Sequence, residues 1–369
     1  MKVKAAVLRE VGKPCTIEEL ELEGPKAGEV LVRYTHCGFC HSDLSFMIGS
    51  VPSVVPMVPG HECSGIVEEV GPGVTRVKKG DHFVGTYSIP CGKCPHCLQG
   101  RSHLCPGTQL PFLEGTMLDG TTRFTDAKGS PVRHMLYLSG FASHSVVPEW
   151  GVIPIGKEVP LDQACLLGCC VPTGWGSVTN IAHVRPGDSV VVYGLGGIGL
   201  NIVRAAVLTN ANPVIAVDIE PSKEALAYEF GATHFFCNGK EDPVPKILAL
   251  TGGAQFAFEA IGDPGAIVQA WYSTGINGRV IIPGVTPVEA LTTLPLFVLP
   301  LHSKAIMGSG FGGTCAAVDI PRYADMIMRK DVLKLDKMIT RKFKVEQIND
   351  VVEAMIRKQV QGRWVCEWA

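Results

Sequence analysis

Residues 189–218 constrain the fold of this chain more than any other stretch. They open with a short β-branched run at 189–193, which is typical of a strand buried on both faces. Three glycines in G-x-G-x-x-G spacing follow, then a helical pattern from about 198 to 208 and a second buried run that ends at Asp218. This order of strand, glycine loop, helix and strand predicts the first βαβ unit of a doubly wound parallel sheet.

The glycine loop and the acid after it have the chemistry of a dinucleotide site. Gly194 lets the chain turn sharply, Gly196 leaves room for a pyrophosphate, and Gly199 lets the helix pack closely on the strand. The helix N-terminus points unpaired N–H groups at the phosphates. A carboxylate roughly 20 residues on, here Asp218, meets the adenosine ribose hydroxyls and would repel a 2′-phosphate. The pattern therefore predicts NAD rather than NADP, with an ordinary tight βα turn as the alternative.

Composition bounds the class of protein. A chain of 369 residues with 46% hydrophobic and 18% charged residues is globular, with room for two or three domains. Its formal net charge of −2 gives no electrostatic basis for binding nucleic acid or an anionic membrane, and its apolar runs are too short to span a bilayer. With 14 cysteines and no signal-peptide pattern at the N-terminus, we expect a reducing compartment, the cytoplasm.

Two patterns of predicted elements divide the chain. Residues 1–170 contain many short strand patterns separated by Gly and Pro, which predicts a mostly β, barrel-like domain. Residues 171–310 alternate strand and helix patterns, which predicts an α/β domain with a parallel sheet. The tail, 311–369, has two helical patterns and a strand-like end, and we expect it to fold back onto the first domain.

A cysteine cluster in the first domain has the spacing of a metal site. Cys91, Cys94, Cys97 and Cys105 form C-x2-C-x2-C-x7-C. Four thiolates in one loop can close a tetrahedron around Zn²⁺ with no open position, so the pattern predicts a structural zinc. Disulfides or idle thiols are the alternatives, and neither needs such regular short steps.

Three scattered residues are candidates for a second metal site. Cys40, His61 and Cys169 are each weak on their own, because a lone Cys or His is more often a core residue. Cys169 lies just upstream of the dinucleotide strand, and three protein ligands with an open fourth position are the pattern of a catalytic zinc. Spacing alone does not choose between Cys169 and Cys170.

Several motifs together resemble a known family. They are Gly60-His61-Glu62, the cysteine cluster, the glycine loop, and Gly168-Cys169 before Thr173-Gly174. Over essentially its full length the chain resembles the zinc-dependent alcohol dehydrogenases of the medium-chain dehydrogenase/reductase superfamily. The resemblance implies a mostly β GroES-like catalytic domain (1–170 with 311–369) and a Rossmann domain (171–310). Residues 115–124 are similar to the dimeric alcohol dehydrogenases and the glutathione-dependent formaldehyde dehydrogenases, so we expect a homodimer.

The resemblance implies a role for individual residues. Cys40, His61 and Cys169 would bind the catalytic zinc, with Glu62 behind the metal. Asp43 would hold the free ring nitrogen of His61, and Ser42 would take the substrate hydroxyl proton. The implied NAD contacts are His41, Thr173, Gly194, Gly196, Gly197, Ile198, Gly199, Asp218, Lys223 and Arg363, with Arg363 on the pyrophosphate. The implied substrate pocket includes Ser42, Val51, Tyr87 and Leu110.

Two positions depart from the family pattern. His41 stands where many relatives place an Arg against the pyrophosphate, and a mostly neutral imidazole binds phosphate less strongly. Ser45 stands where many relatives carry the outer His of a proton relay. We therefore expect cofactor to leave faster and the relay to exit through a water or His41.

The expected reaction is the interconversion of a primary alcohol and its aldehyde, with hydride passing from a zinc-bound alkoxide to NAD⁺. The segment 46–59 is almost wholly apolar, which suits an aromatic, allylic or aliphatic substrate, although these residues could equally be core. An S-(hydroxymethyl)glutathione dehydrogenase is the alternative, but the segment offers no charged partner for glutathione. A non-catalytic relative, a zinc-free quinone reductase and a nucleic-acid-binding zinc protein fit less well, because all ligands and glycines are present and no basic face is evident.

Overall fold

The computed structural model describes residues 1–368, except for the side chains of residues 110 and 111. Over these residues the chain divides into two compact units, Met1–Cys169 with Cys315–Ala369, and Cys170–Thr314. The strands, in chain order, are β1 (Lys2–Val7), β2 (Thr16–Leu22), β3 (Glu29–Gly38), β4 (Met57–Val58), β5 (Glu62–Val70), β6 (His82–Gly85), β7 (Phe124–Thr125), β8 (Pro131–His134), β9 (His144–Pro148), β10 (Val152–Ile155), β11 (Val190–Tyr193), β12 (Val214–Asp218), β13 (His234–Cys237), β14 (Ala254–Glu259), β15 (Thr274–Ile282), β16 (Ala305–Gly308), β17 (Ile339–Phe343) and β18 (Arg363–Glu367).

The helices are mostly short, and several continue from a single tighter turn such as Pro221–Lys223 or Val345–Gln347. The α-helices are α1 (His41–Ile48), α2 (Pro95–Leu98), α3 (Gln109–Glu114), α4 (Leu161–Ala164), α5 (Cys170–Gly176), α6 (Gly197–Leu208), α7 (Glu224–Glu229), α8 (Val244–Thr251), α9 (Pro264–Ser273), α10 (Val298–Leu301), α11 (Ala316–Ile327), α12 (Leu335–Met338) and α13 (Ile348–Ile356).

The first unit is built from β-sheet, as predicted. One sheet has the strand order β1-β2-β7-β8-β4, and a second has the order β10-β6-β5-β3-β18-β17 with β9 paired to β3. Strand β18, near the end of the chain, pairs antiparallel with β3, so that Val365 lies opposite Gly38. This pairing confirms that the C-terminal segment returns to the first domain.

The second unit holds the predicted doubly wound sheet. Its strand order is β13-β12-β11-β14-β15-β16, and the neighbouring strands are parallel. All of β11 is buried, which accounts for its run of Val190–Tyr193. Because β11 neighbours both β12 and β14, the strand order reverses there, and ligands of such sheets bind beyond the carboxyl ends of the strands at this point.

The boundary between the units differs slightly from the predicted one. Cys170 and residues 311–314, which the sequence analysis expects in the first domain, belong to the second unit. The Thr314 hydroxyl donates to the Pro172 carbonyl at 3.2 Å, and Asn180 donates to the Gly312 carbonyl at 3.2 Å. Because these contacts join residues that are far apart in the chain, the local sequence pattern around Gly310 could not predict the boundary.

Within the described residues, no helix combines the length and apolarity that crossing a membrane requires.

The buried Arg123 side chain bonds the 115–124 segment to another part of the first unit. The Arg123 side chain is fully buried and donates from Nε to Glu29 and from Nη2 to Asp119, each at 2.9 Å. Its backbone N–H donates to His134 Nε2 at 3.0 Å. Burial, with the nearby Arg123 charge, lowers the pKa of His134 to about 3, so the imidazole is neutral and free to accept at this nitrogen.

We expect Arg123→Met to lower the free energy of unfolding by about 3–5 kcal/mol, because the buried Glu29 carboxylate would lose its partner. Chemical denaturation of the two proteins measures the difference. Arg357→Met is the matched control: its pair with Glu353 is exposed on both sides, so the loss should stay below about 1 kcal/mol. Equal, small losses in both variants would contradict a stabilising role for the buried pair.

Candidate metal centres and dinucleotide site

Loops at the ends of β3 and β5 supply two of the predicted ligands. Cys40 is the residue that precedes α1, directly after β3, and His61 immediately precedes β5. Gly60 has φ of +103°, and a Cβ there would lie 2.7 Å from the Phe141 backbone nitrogen, so the turn that presents His61 requires glycine. The third ligand, Cys169, follows the turn Cys165–Gly168.

The structure brings these residues to one point. Among the described residues, four side chains offer ligand atoms that all lie within 4.8 Å of one another and are buried: Cys40, His61, Glu62 and Cys169. Two sulfurs and one imidazole nitrogen are preferred ligands of zinc, and a set of three leaves a coordination position open. The neighbouring Cys170 is not in the group. Its Sγ lies 3.9 Å from the Asn201 side-chain nitrogen instead.

The Asp43 carboxylate fixes the geometry of this cluster. It is fully buried and accepts from His61 Nδ1 at 2.9 Å, from the Cys40 backbone N–H at 2.9 Å and from the Gly60 backbone N–H at 3.2 Å. With Nδ1 protonated, the imidazole leaves Nε2 unprotonated for a metal. The position of Asp43 matches the role that the family resemblance implies.

Arg363 lies behind the cluster. It is 4% exposed and donates to Glu62 Oε1 at 3.0 Å and to the Phe39 carbonyl at 3.1 Å, with Nη2 also 3.9 Å from Cys40 Sγ. Burial raises the pKa of Glu62 to about 7, although the Arg363 charge opposes the shift. This pair is not predictable from the sequence, because Glu62 and Arg363 are far apart in the chain. The implied contact of Arg363 with a pyrophosphate stays a prediction.

Ser42 and Tyr87 flank the two ligand sulfurs. Ser42 Oγ lies 3.8 Å from Cys40 Sγ, and the Tyr87 hydroxyl lies 3.8 Å from Cys169 Sγ. The Tyr87 ring meets the His61 ring edge-on at 5.9 Å between centroids. Burial, together with Cys169, raises the pKa of Tyr87 well above its usual value.

The remaining residues of the implied pocket lie on the same unit. Phe112 packs against Tyr87 with ring centroids 6.2 Å apart, and Val51 is half-buried. Leu110 lies outside the side chains that the structure describes. His41 is exposed, and the Ser45 hydroxyl donates to its backbone carbonyl at 3.0 Å. A small pocket beside Phe112 is lined by Phe46, Ser53, Val54, Met57, Phe112, Leu113, Gly115, His134, Met135 and Leu136.

The cysteine loop also closes on one point. The ligand sulfurs of Cys91, Cys94, Cys97 and Cys105 lie within 4.8 Å of one another. Backbone N–H groups of Lys93 and Cys94 lower the pKa of the Cys91 thiol to about 6, which favours the thiolate that zinc requires. All four candidate ligands come from one loop of this unit. Four ligands leave no coordination position open, as expected of a structural zinc site.

The glycine loop of the second unit is tightly packed on one side and open beside Gly196. Gly194 has φ of +90°, and a Cβ on Gly199 would collide with the Gly194 carbonyl. A Cβ on Gly196 would meet no atom within 4 Å, so open space lies beside this backbone at the start of α6. Gly197 and Ile198 form the first turn of α6, and a Cβ on Gly174 of α5 would lie 2.6 Å from the Ile198 carbonyl.

Asp218 is joined to this loop. Its Oδ2 accepts from the Leu195 backbone N–H at 2.7 Å and from Lys223 Nζ at 3.0 Å. The carboxylate thus lies at the carboxyl end of β12, next to the glycine loop and beside a lysine. Thr173, the other predicted contact in this unit, is buried in α5, and its carbonyl accepts from the Ser177 hydroxyl at 2.6 Å.

Known protein families match segments in both halves of the chain. Residues 26–157 match the family of alcohol dehydrogenase GroES-like domains, and residues 197–329 match that of zinc-binding dehydrogenases. The chain is 41% identical to an NDMA-dependent alcohol dehydrogenase of Amycolatopsis methanolica, covering 95% of both chains. It is 38% identical to an S-(hydroxymethyl)glutathione dehydrogenase of Paracoccus denitrificans, covering 96% of this chain and 97% of the relative. Benzyl alcohol dehydrogenase of Acinetobacter calcoaceticus superposes with a TM-score of 0.94 at 30% identity, over 100% of both chains.

We expect wild-type protein to hold two zinc ions per chain and Cys169→Ser to hold one, because a serine hydroxyl is a poor substitute for a thiolate. Elemental analysis of the purified proteins measures this. Cys170→Ser is the matched control, since Cys170 is also buried and follows Cys169 in the chain but is not part of the cluster, and it should keep both ions. Loss of zinc from Cys170→Ser with retention in Cys169→Ser would contradict the ligand assignment.

Proposed function

This chain belongs to the zinc-dependent alcohol dehydrogenases of the medium-chain dehydrogenase/reductase superfamily, and we propose that it interconverts a primary alcohol and its aldehyde with NAD(H). The observation that carries the proposal is the buried group of Cys40, His61 and Cys169, whose ligand atoms lie within 4.8 Å of one another. Two thiolates and one imidazole suit a catalytic zinc, and the order in which the chain supplies them agrees with the family motifs.

A zinc ion at this site supplies a Lewis acid that makes the hydroxyl of a bound alcohol far more acidic. Zinc in a protein site lowers the pKa of bound water from about 16 to about 7. At 1.36 kcal/mol per pKa unit, this change is on the order of 12 kcal/mol. A positioned general base contributes roughly 10²–10⁴-fold, or about 3–5 kcal/mol. The metal would therefore lower the reaction barrier more than the protein's proton acceptor does.

Ser42 is the proposed acceptor of the alcohol proton. Its hydroxyl lies 3.8 Å from Cys40 Sγ, beside the ligand group, and it is only partly buried. The proton then leaves by way of water or the exposed His41 imidazole. Ser45 takes no part in this path, because its hydroxyl donates to the His41 carbonyl at 3.0 Å.

NAD(H) is the proposed hydride carrier, and support comes from the second unit. Open space beside Gly196 at the start of a 12-residue helix suits a pyrophosphate. Asp218 at the carboxyl end of β12 suits adenosine ribose hydroxyls and disfavours a 2′-phosphate. Proposed partners of the nucleotide are Thr173, Ile198, Lys223, His41 and Arg363 together with the loop glycines. A relative is named NDMA-dependent, so the electron acceptor is a variable of the test below.

An apolar alcohol is the proposed substrate. Aromatic and aliphatic side chains around Phe112 support an aromatic, allylic or aliphatic group on the reacting carbon. S-(hydroxymethyl)glutathione is the second candidate, because a relative that matches 96% of this chain carries that activity in its name. Segment 46–59 contains no charged side chain to pair with glutathione, which favours the apolar alcohol.

The test is alcohol oxidation with NAD⁺, NADP⁺ and NDMA as separate acceptors, and with benzyl, allyl and hexyl alcohols and S-(hydroxymethyl)glutathione as substrates. We expect turnover of the apolar alcohols with NAD⁺, and a loss of about 10²–10⁴-fold in kcat for Ser42→Ala. Ser45→Ala is the matched control and should keep the wild-type kcat.

Three results would each overturn a part of the proposal. Oxidation with NADP⁺ but not NAD⁺ would refute the role of Asp218, and turnover of S-(hydroxymethyl)glutathione alone would select the second candidate. Equal kcat for Ser42→Ala and wild type would remove Ser42 from the proton path.

A homodimer is the proposed assembly. Strand β16 is the last strand of its sheet, and the segment before it exposes large apolar side chains to solvent: Leu291, Leu296, Phe297 and Leu301 are 90%, 72%, 78% and 63% exposed. A strand edge beside an apolar patch is a surface that a second copy can cover.

We expect Phe297→Asp to shift the molar mass by sedimentation from two chains toward one, because the patch would carry a charge. Ile356→Asp, at an apolar residue that is 56% exposed elsewhere in the chain, is the control and should remain a dimer. A dimer that survives Phe297→Asp at all concentrations would place the interface on another surface.

The proposed location is a reducing compartment, the cytoplasm. Six cysteines of the two metal groups must remain thiolates to bind zinc, and such thiols are kept reduced there.

A further inference from the structure

Tyr87 contacts two of the three proposed zinc ligands. Its hydroxyl oxygen lies 3.8 Å from Cys169 Sγ, and its ring lies edge-on to His61 with centroids 5.9 Å apart. A sulfur acceptor is larger than oxygen, so this separation is within reach of an O–H···S hydrogen bond. The substrate-pocket role that the family resemblance implies for Tyr87 does not by itself use this hydroxyl.

The direction of the hydrogen bond follows from the chemistry of the ligand. A sulfur that binds zinc is a thiolate and has no proton to donate. A phenol has an ordinary pKa near 10 and keeps its proton at neutral pH. Tyr87 is therefore the donor and Cys169 the acceptor whenever the metal is bound.

We propose that Tyr87 is a positioning residue that donates a hydrogen bond to the Cys169 thiolate and thereby sets how strongly this sulfur donates electrons to the zinc. The proposal rests on the proposed function, since it assumes a zinc ion at Cys40, His61 and Cys169. A hydrogen bond draws electron density away from a ligand sulfur, which leaves the metal more electrophilic. The Tyr87 ring also contacts the His61 ring, so this one residue acts on two ligands.

The surroundings of the other sulfur are consistent with this role. Arg363 Nη2 lies 3.9 Å from Cys40 Sγ and the Ser42 hydroxyl lies 3.8 Å from it. Each ligand sulfur thus has a donor group beside it: the Arg363 guanidinium at Cys40 and the Tyr87 phenol at Cys169. Loss of the phenol would therefore change the electron donation of one sulfur and leave the other as it is.

The variant Tyr87→Phe removes the hydroxyl and keeps the ring. In protein with Co²⁺ in place of zinc at the Cys40, His61 and Cys169 site alone, we expect the sulfur-to-cobalt charge-transfer band at longer wavelength in Tyr87→Phe, because the sulfur becomes a better donor. In the zinc protein we expect kcat for alcohol oxidation to fall about 10-fold. Ring contacts in the pocket are unchanged, so KM should stay close to that of wild type.

Tyr34→Phe is the matched control. Its hydroxyl is also buried in the first unit but donates to the Leu138 carbonyl, so its removal should leave the band in place. An unshifted band in Tyr87→Phe at full metal content would overturn the proposal, even if KM changed. A wild-type protein that binds only one metal ion per chain would instead refute the proposed function on which it rests.

Discussion

The Asp43 carboxylate is the constraint on which the candidate metal site depends. It is fully buried, and three donors from different segments meet on it: the His61 imidazole, the Cys40 backbone and the Gly60 backbone. A buried carboxylate is costly unless it is well hydrogen-bonded, so the same bonds that stabilise Asp43 also fix two ligand loops relative to each other. The ligand geometry is in this sense a result of satisfying one buried charge.

Charge is balanced on a wider scale around the same site. The two ligand thiolates would neutralise a divalent ion, and the buried Arg363 guanidinium lies against both Glu62 and Cys40 Sγ. Buried charges persist only when they are paired or bound to metal, so these residues depend on one another for their stability. In the second unit, the glycine loop leaves open space beside Gly196, and the Asp218 carboxylate lies next to this loop.

Local pattern predicted most of the fold, and long-range contact decided the rest. The βαβ unit was predictable because its periods, glycines and terminal acid lie within 30 residues of one another, and the helix α6 begins at Gly197, close to the predicted start. The metal ligands were predictable as a set only through family motifs, since Cys40, His61 and Cys169 are distant in the chain. The structure separates Cys169 from Cys170, which spacing alone could not do. The Arg363–Glu62 pair and the placement of residues 311–314 depend on contacts that no local pattern records.

The central claim is that Cys40, His61 and Cys169 share one metal ion while the cysteine loop holds another. Anomalous diffraction at the zinc absorption edge from crystals of the purified protein tests it most directly. We expect two anomalous peaks per chain, one among Cys40, His61 and Cys169 and one among Cys91, Cys94, Cys97 and Cys105. A peak at the cysteine loop alone, or one bound by Cys170 in place of Cys169, would contradict it.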